Sequence, residues 1–96
     1  MPPRKTRTVD GVHHNLGKAY DAMGLSLEAF NQYIIAASLD PDTAIVHETL
    51  GMAYVSMGQL ISAQRELETA LRLAPDLPGA RAFLVYIATQ NKQSTH

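Results

Sequence analysis

The 96-residue sequence predicts an all-α protein of about five antiparallel helices, two helix–turn–helix units followed by a terminal helix. Three observations carry this prediction. Shifting the chain by 34 residues lays 10–43 on 44–77 without a gap. Small and apolar residues recur at helical spacing inside both segments. Glycine and proline stand at the same places in both, where helices must stop.

The two segments agree at Val12/Val46, His13/His47, Leu16/Leu50, Gly17/Gly51, Ala19/Ala53, Tyr20/Tyr54, Met23/Met57, Gly24/Gly58, Ala29/Ala63, Ala36/Ala70, Leu39/Leu73, Pro41/Pro75 and Asp42/Asp76. Composition alone would match roughly 2 or 3 positions. Leu16, Ala19, Tyr20 and Met23 follow the i, i+3, i+4, i+7 rhythm of one helical stripe, as do Leu50, Ala53, Tyr54 and Met57. They predict helices over 10–23 and 44–57. Gly24 and Gly58 then suit the left-handed residue that ends a helix. Second stripes follow: Leu25, Ala29, Tyr33, Ala36 and Ala37, then Leu60, Ala63, Leu67, Ala70 and Leu71. They predict helices over 26–39 and 60–73. Pro41 and Pro75 stop these helices, because proline lacks the N–H and drives the preceding residue out of the α region. Asp42, Thr43 and Asp76 are candidate caps for the helices that come next. Pro78 suits a first helical position, and a last helix is expected over 78–91. Glu68 and Arg72 are spaced for an i,i+4 ion pair.

These residues carry a family resemblance. His13-x2-Leu16-Gly17-x2-Tyr20, Ala29-x3-Tyr33 and Pro41, repeated as His47-x2-Leu50-Gly51-x2-Tyr54, Ala63-x3-Leu67 and Pro75, resemble the tetratricopeptide repeat. The resemblance spans about 68 of the 96 residues. It departs at the leading aromatic, here His13 and His47, and at the second-helix aromatic, here Tyr33 and Leu67. Gly17, Gly51, Ala29 and Ala63 are then packing residues that let paired helices approach, with Tyr20 and Tyr54 filling space beside them. His13 and His47 are read as packing residues in place of an aromatic, not as metal ligands.

The resemblance implies a right-handed α-α superhelix and a non-enzymatic module that binds a peptide or helix of a partner protein in a concave groove. The groove would be lined by His14, Lys18 and Asp21 from the first repeat, Ile45, Glu48, Met52 and Val55 from the second, and Ala82 and Tyr86 from the terminal helix. Members that clamp a chaperone's C-terminal carboxylate would need Lys at His14, Asn at Lys18 and Thr49, and Lys and Arg at Ala82 and Tyr86. None of the five matches, so that ligand class is not expected. The run Phe83-Leu84-Val85-Tyr86-Ile87 is apolar all round, which raises an alternative: a self-assembling scaffold, a homo-oligomer formed through Phe83, Tyr86 and Ile87.

The domain expectation is a basic flexible tail over 1–9, one domain over 10–91 and a flexible tail over 92–96. With net charge −1 there is no field for nucleic acid. No apolar run reaches the roughly 20 residues of a membrane span. The opening MPPRKTR is basic but leads into no hydrophobic segment, so a cytoplasmic protein without a secretory signal is expected. The chain has no cysteine, hence no disulfide, thiolate or Cys zinc site. His47-Glu48 lacks the second histidine of H-E-x-x-H, and no glycine-rich phosphate loop occurs. No cofactor and no small-molecule substrate are expected.

Overall fold

The structure, a computed structural model, describes the backbone of residues 7–94 and the side chains of 11–90. The outer parts of the two expected tails, 1–6 and 95–96, lie outside the described residues. Five α-helices and no strand make up the rest: α1 (Arg7–Ala22), α2 (Ser26–Leu39), α3 (Ala44–Ser56), α4 (Leu60–Leu73) and α5 (Pro78–Ser94). Each of the five expected helices is present. The outer two run longer than expected, α1 starting at Arg7 and α5 reaching Ser94. Neither Arg7-Thr8-Val9 nor Lys92-Gln93-Ser94 holds a proline or glycine to stop them.

The turns inside each repeat are set by backbone. Gly24 and Gly58 have φ of 80° and 76°, the left-handed region that β-carbons disfavour. Around Gly24, the Leu25 N–H donates to the Tyr20 carbonyl at 2.9 Å and the Gly24 N–H to the Asp21 carbonyl at 3.0 Å. Gln59 to Tyr54 and Gly58 to Val55 repeat this at 3.0 Å each. This is the Schellman closure, made twice. At the other helix ends Asp40 and Ala74 are drawn out of the helix by Pro41 and Pro75 while still donating to Ala36 and Ala70. The caps differ from expectation. Thr43 occupies the N-cap of α3 without a side-chain cap bond, and Asp76 stands one residue too early, since the Leu77 carbonyl accepts the first bond of α5 from Arg81.

The chain divides into two units, 1–42 and 43–96. In the first, α1 packs on α2; in the second, α4 packs on α3 and α5, and α5 also touches α3. The decisive contact in each is a glycine under a large side chain. A β-carbon on Gly17 would stand 2.5 Å from Cε1 of Tyr33, and one on Gly51 2.7 Å from Cγ of Leu67. Tyr33 and Leu67 are the same repeat position, and both are fully buried. Around Leu67 the second unit gathers Ala63, Ala70, Ala80 and Ile87.

One expected stripe is placed differently. In α1, Val12, Leu16 and Met23 are exposed, at 52%, 38% and 63%. A helix packed on one neighbour buries one strip, and in α1 that strip runs through Gly17 and the His13 bond described below. Val46 and Leu50, the counterparts in α3, are buried.

Two substitutions in α1 separate packing from propensity. Gly11 has open space around its β-position. Gly11→Ala should therefore raise stability by about 0.5–1 kcal/mol, the helix preference for alanine. Gly17→Ala forces methyl into ring and should lower stability by about 1–3 kcal/mol. Urea unfolding of both variants checks the opposite signs.

Candidate functional site

A polar contact at the same repeat position joins the helices of each pair, and in both it begins in the first helix. His13 Nδ1 lies 2.7 Å from Oε1 of Gln32, and His47 Nδ1 lies 2.8 Å from Oε1 of Glu66. The spacing is 19 residues in both repeats. An ionised glutamate only accepts, so Nδ1 of His47 is the donor. His47 is buried and His13 half-buried, and each carries a directed bond that composition and stripe did not reveal. A polar residue 19 positions after each histidine was the available signal.

In the first unit the Tyr33 hydroxyl donates to Oδ2 of Asp21 at 2.7 Å. Burial pushes the Tyr33 pKa far above its ordinary 10, and the hydrogen bond to Asp21 and its charge push the same way. Asp21, expected to line a groove, is thus occupied by its own helix pair. The second unit has Leu67 in place of Tyr33, and Val55 in place of Asp21. Where the hydroxyl is gone, so is its acceptor. His14 stacks on the same ring, centroids 5.9 Å apart and planes tilted by 49°. Its pKa is lowered from 6.5, first by burial and then by the Lys18 charge. Lys18 itself is exposed.

In the second unit Ile45 and Met52 of α3 are exposed and Val55 is half-buried. Tyr86 follows Met52 by 34 residues, holds the same place on α5 and is also exposed, as is Ala82. Glu48 must be withdrawn from the expected lining. It is only 9% exposed, and a β-carbon on Gly79 would collide with its carboxylate, so α5 covers it. Gly79 is what lets α5 come so close.

The apolar run of α5 does not form one face. Ile87 is buried in the core, and Phe83 and Leu84 pack against it. Phe83 and Ile87 are therefore corrected as an open self-association face: 80, 84 and 87 form the inward i, i+4, i+7 strip. Val85 and Tyr86 stay exposed, about 100° apart on the helix. The Glu68–Arg72 ion pair is also absent; Glu68 accepts from Gln64 and Arg72 donates to Thr69. Sequence reading also passed over Leu27 and Ile61, equivalent residues and both largely exposed. Among the described residues no three His, Asp or Glu side chains cluster as metal ligands, and no helix is long and apolar enough to cross a membrane.

The tetratricopeptide repeat family model matches residues 45–77, which are α3, α4 and the turn that follows. Residues 45–77 thus form a repeat of the tetratricopeptide type, and five helices without a strand among the described residues are consistent with a helical-repeat arrangement of that kind. No curated protein matches it. In a tetratricopeptide protein such repeats serve protein–protein interaction in general, and proteins built from them are typically non-enzymatic scaffolds. The glycine, tyrosine, alanine and proline of the tetratricopeptide pattern here are fold residues.

Asp21→Val should cost about 1–3 kcal/mol, because it leaves the buried Tyr33 hydroxyl without an acceptor. Adding Tyr33→Phe should recover most of the loss, which urea unfolding of the single and double variants checks. His14 gives a pH prediction. Its folded pKa is below the unfolded value of 6.5, so the unfolded chain binds the proton more readily. The stability held by the neutral ring is complete above 6.5 and is lost as pH falls below it. NMR titration should place His14 below 6.5, and His14→Gln should lose less stability than wild type between about pH 7.5 and about pH 5.5.

Proposed function

We propose that this protein is an interaction module whose second repeat binds a peptide or helix of a partner protein across α3 and α5. The observation that carries the reading is the exposure of Ile45 and Met52 on α3 with Tyr86 at the matching place on α5, two helices that pack against each other. These side chains suit anchoring. Methionine adapts its shape to different partners, and tyrosine offers a large contact area with few torsions to freeze. Buried Glu48 lies between Ile45 and Met52 in sequence, so the ligand chemistry here is apolar.

In the first repeat Lys18 and Asp21 are the exposed charges of the expected polar set; Asp21 already accepts from the Tyr33 hydroxyl, and His14 lies against the Tyr33 ring, which leaves Lys18 as the charge not engaged with Tyr33. A ligand that reaches this repeat would meet Lys18 with an acidic group.

Selection from a random peptide library should enrich sequences with bulky apolar anchors. Tyr86→Ala and Met52→Lys should each weaken the selected peptide by about 2 kcal/mol or more, roughly thirtyfold, as central anchors do. Isothermal titration measures this. Peptides that bind both variants as tightly as wild type would refute the α3–α5 site.

A further inference from the structure

Beside the side of α5 that carries Tyr86 lies a second surface, reached by turning about 100° to Val85. Asp76, Pro78, Arg81, Ala82 and Val85 line an open depression of about 440 Å³. Shifted back by one repeat, Pro78, Arg81, Ala82 and Val85 become Ala44, His47, Glu48 and Gly51 of α3. On α3 most of this side receives α4, since His47 bonds Glu66 and Gly51 lies under Leu67, while Glu48 at its edge is covered by α5. The depression is therefore the face on which a repeat closes with its second helix.

On α5 that face is altered in two ways. Val85 stands in the place of Gly51, where even one β-carbon would come within 2.7 Å of the covering leucine. A helix seated at the depth of α4 would strike it. Arg81 stands where α3 has His47 and brings a permanent charge there, and one of its five N–H donors reaches the Pro75 carbonyl at 2.8 Å. Asp76 is exposed on the same rim and forms no ion pair with Arg81. The rim thus offers one acid and one base, each open to an outside partner, around an apolar floor.

We propose that this face is a self-association surface, on which two copies of the chain pack α5 against α5 about a two-fold axis. The charge pattern selects a second copy. An isologous contact meets itself turned by 180°, so Asp76 of one copy faces Arg81 of the other, and the reverse pair forms with it. Val85, 63% exposed, and Ala82 and Pro78 are covered at the centre. The patch falls well short of the roughly 800 Å² per partner of a stable interface, so the dimer is weak and forms as concentration rises. It shares Ala82 with the expected groove lining but uses neither Tyr86 nor Met52, the anchors of the peptide-binding reading.

The test is sedimentation equilibrium of the full chain across a roughly hundredfold concentration range, with circular dichroism to confirm that each variant keeps its helices. Wild type should pass from monomer to dimer, and high salt should weaken the dimer. Asp76→Arg and Arg81→Asp should each bind themselves at least about tenfold more weakly, since like charges then face across the axis. An equimolar mixture of those two variants should restore the dimer, because opposite charges meet again at both contacts. Val85→Lys should abolish it, whereas Tyr86→Ala should leave it unchanged. A wild type that stays monomeric throughout, a mixture that remains monomeric, or loss of the dimer on Tyr86→Ala alone would overturn the proposal.

Discussion

Helices packed through ordinary side chains stand 8–10 Å apart. In each repeat of this protein a glycine removes the side chain at the contact, and one large residue from the second helix lies directly on backbone. Tyr33 on Gly17 and Leu67 on Gly51 fix both the distance and the register of their pairs. Most other features follow. Ala29 and Ala63 must be small because the helices are close. The connecting turns must reverse the chain in a few residues, which the left-handed glycines at 24 and 58 allow. The residue that covers the glycine is also the one that no solvent reaches, so its chemistry dictates what surrounds it.

That last point explains the polar contacts. Tyrosine at 33 brings a hydroxyl into the pair, and a buried hydroxyl needs an acceptor. Asp21 supplies it. Leucine at 67 has no such need, and the position matching Asp21 is Val55. The two repeats thus solve the same packing problem with matched pairs, Tyr with Asp and Leu with Val. The histidine bonds act similarly. His13 to Gln32 and His47 to Glu66 cross between helices at the same place, and sliding one helix by a turn would break either bond. Apolar contacts alone tolerate such slips better than a directed hydrogen bond does.

The fold was legible because its determinants are local and repeated. Helix stops at glycine and proline, and helix length between them, depend on residues within a few positions of one another. α1 and α5 run past their expected ends because no such stop exists there. The candidate site was less legible, since exposure is a property of neighbours that the sequence does not place. Glu48 looked like a lining residue by periodicity, yet Gly79 brings α5 over it. Asp21 looked free, yet it answers a tyrosine 12 residues later. The run at 83–87 looked like one apolar surface, but a helix turns consecutive residues by 100°, so the run divides among the core and two exposed sides.

A repeat protein contains its own control, and this gives the differences between its copies a meaning that the identities lack. Where the copies agree, at the glycines, alanines and prolines, the residue serves the pair. Where they disagree on the surface, folding alone does not account for the choice. Ile34 and Ile35 of α2 stand where α4 carries Glu68 and Thr69, and α2 holds a single charged residue, Glu28, while α4 holds Arg65, Glu66, Glu68 and Arg72. Both helices bury the same alanines against their partners, so the contrast lies on the remaining faces. The substitution of Val85 for the repeat glycine belongs to the same class, but it acts inside the packing rule. It removes from α5 the feature that lets α4 sit close on α3.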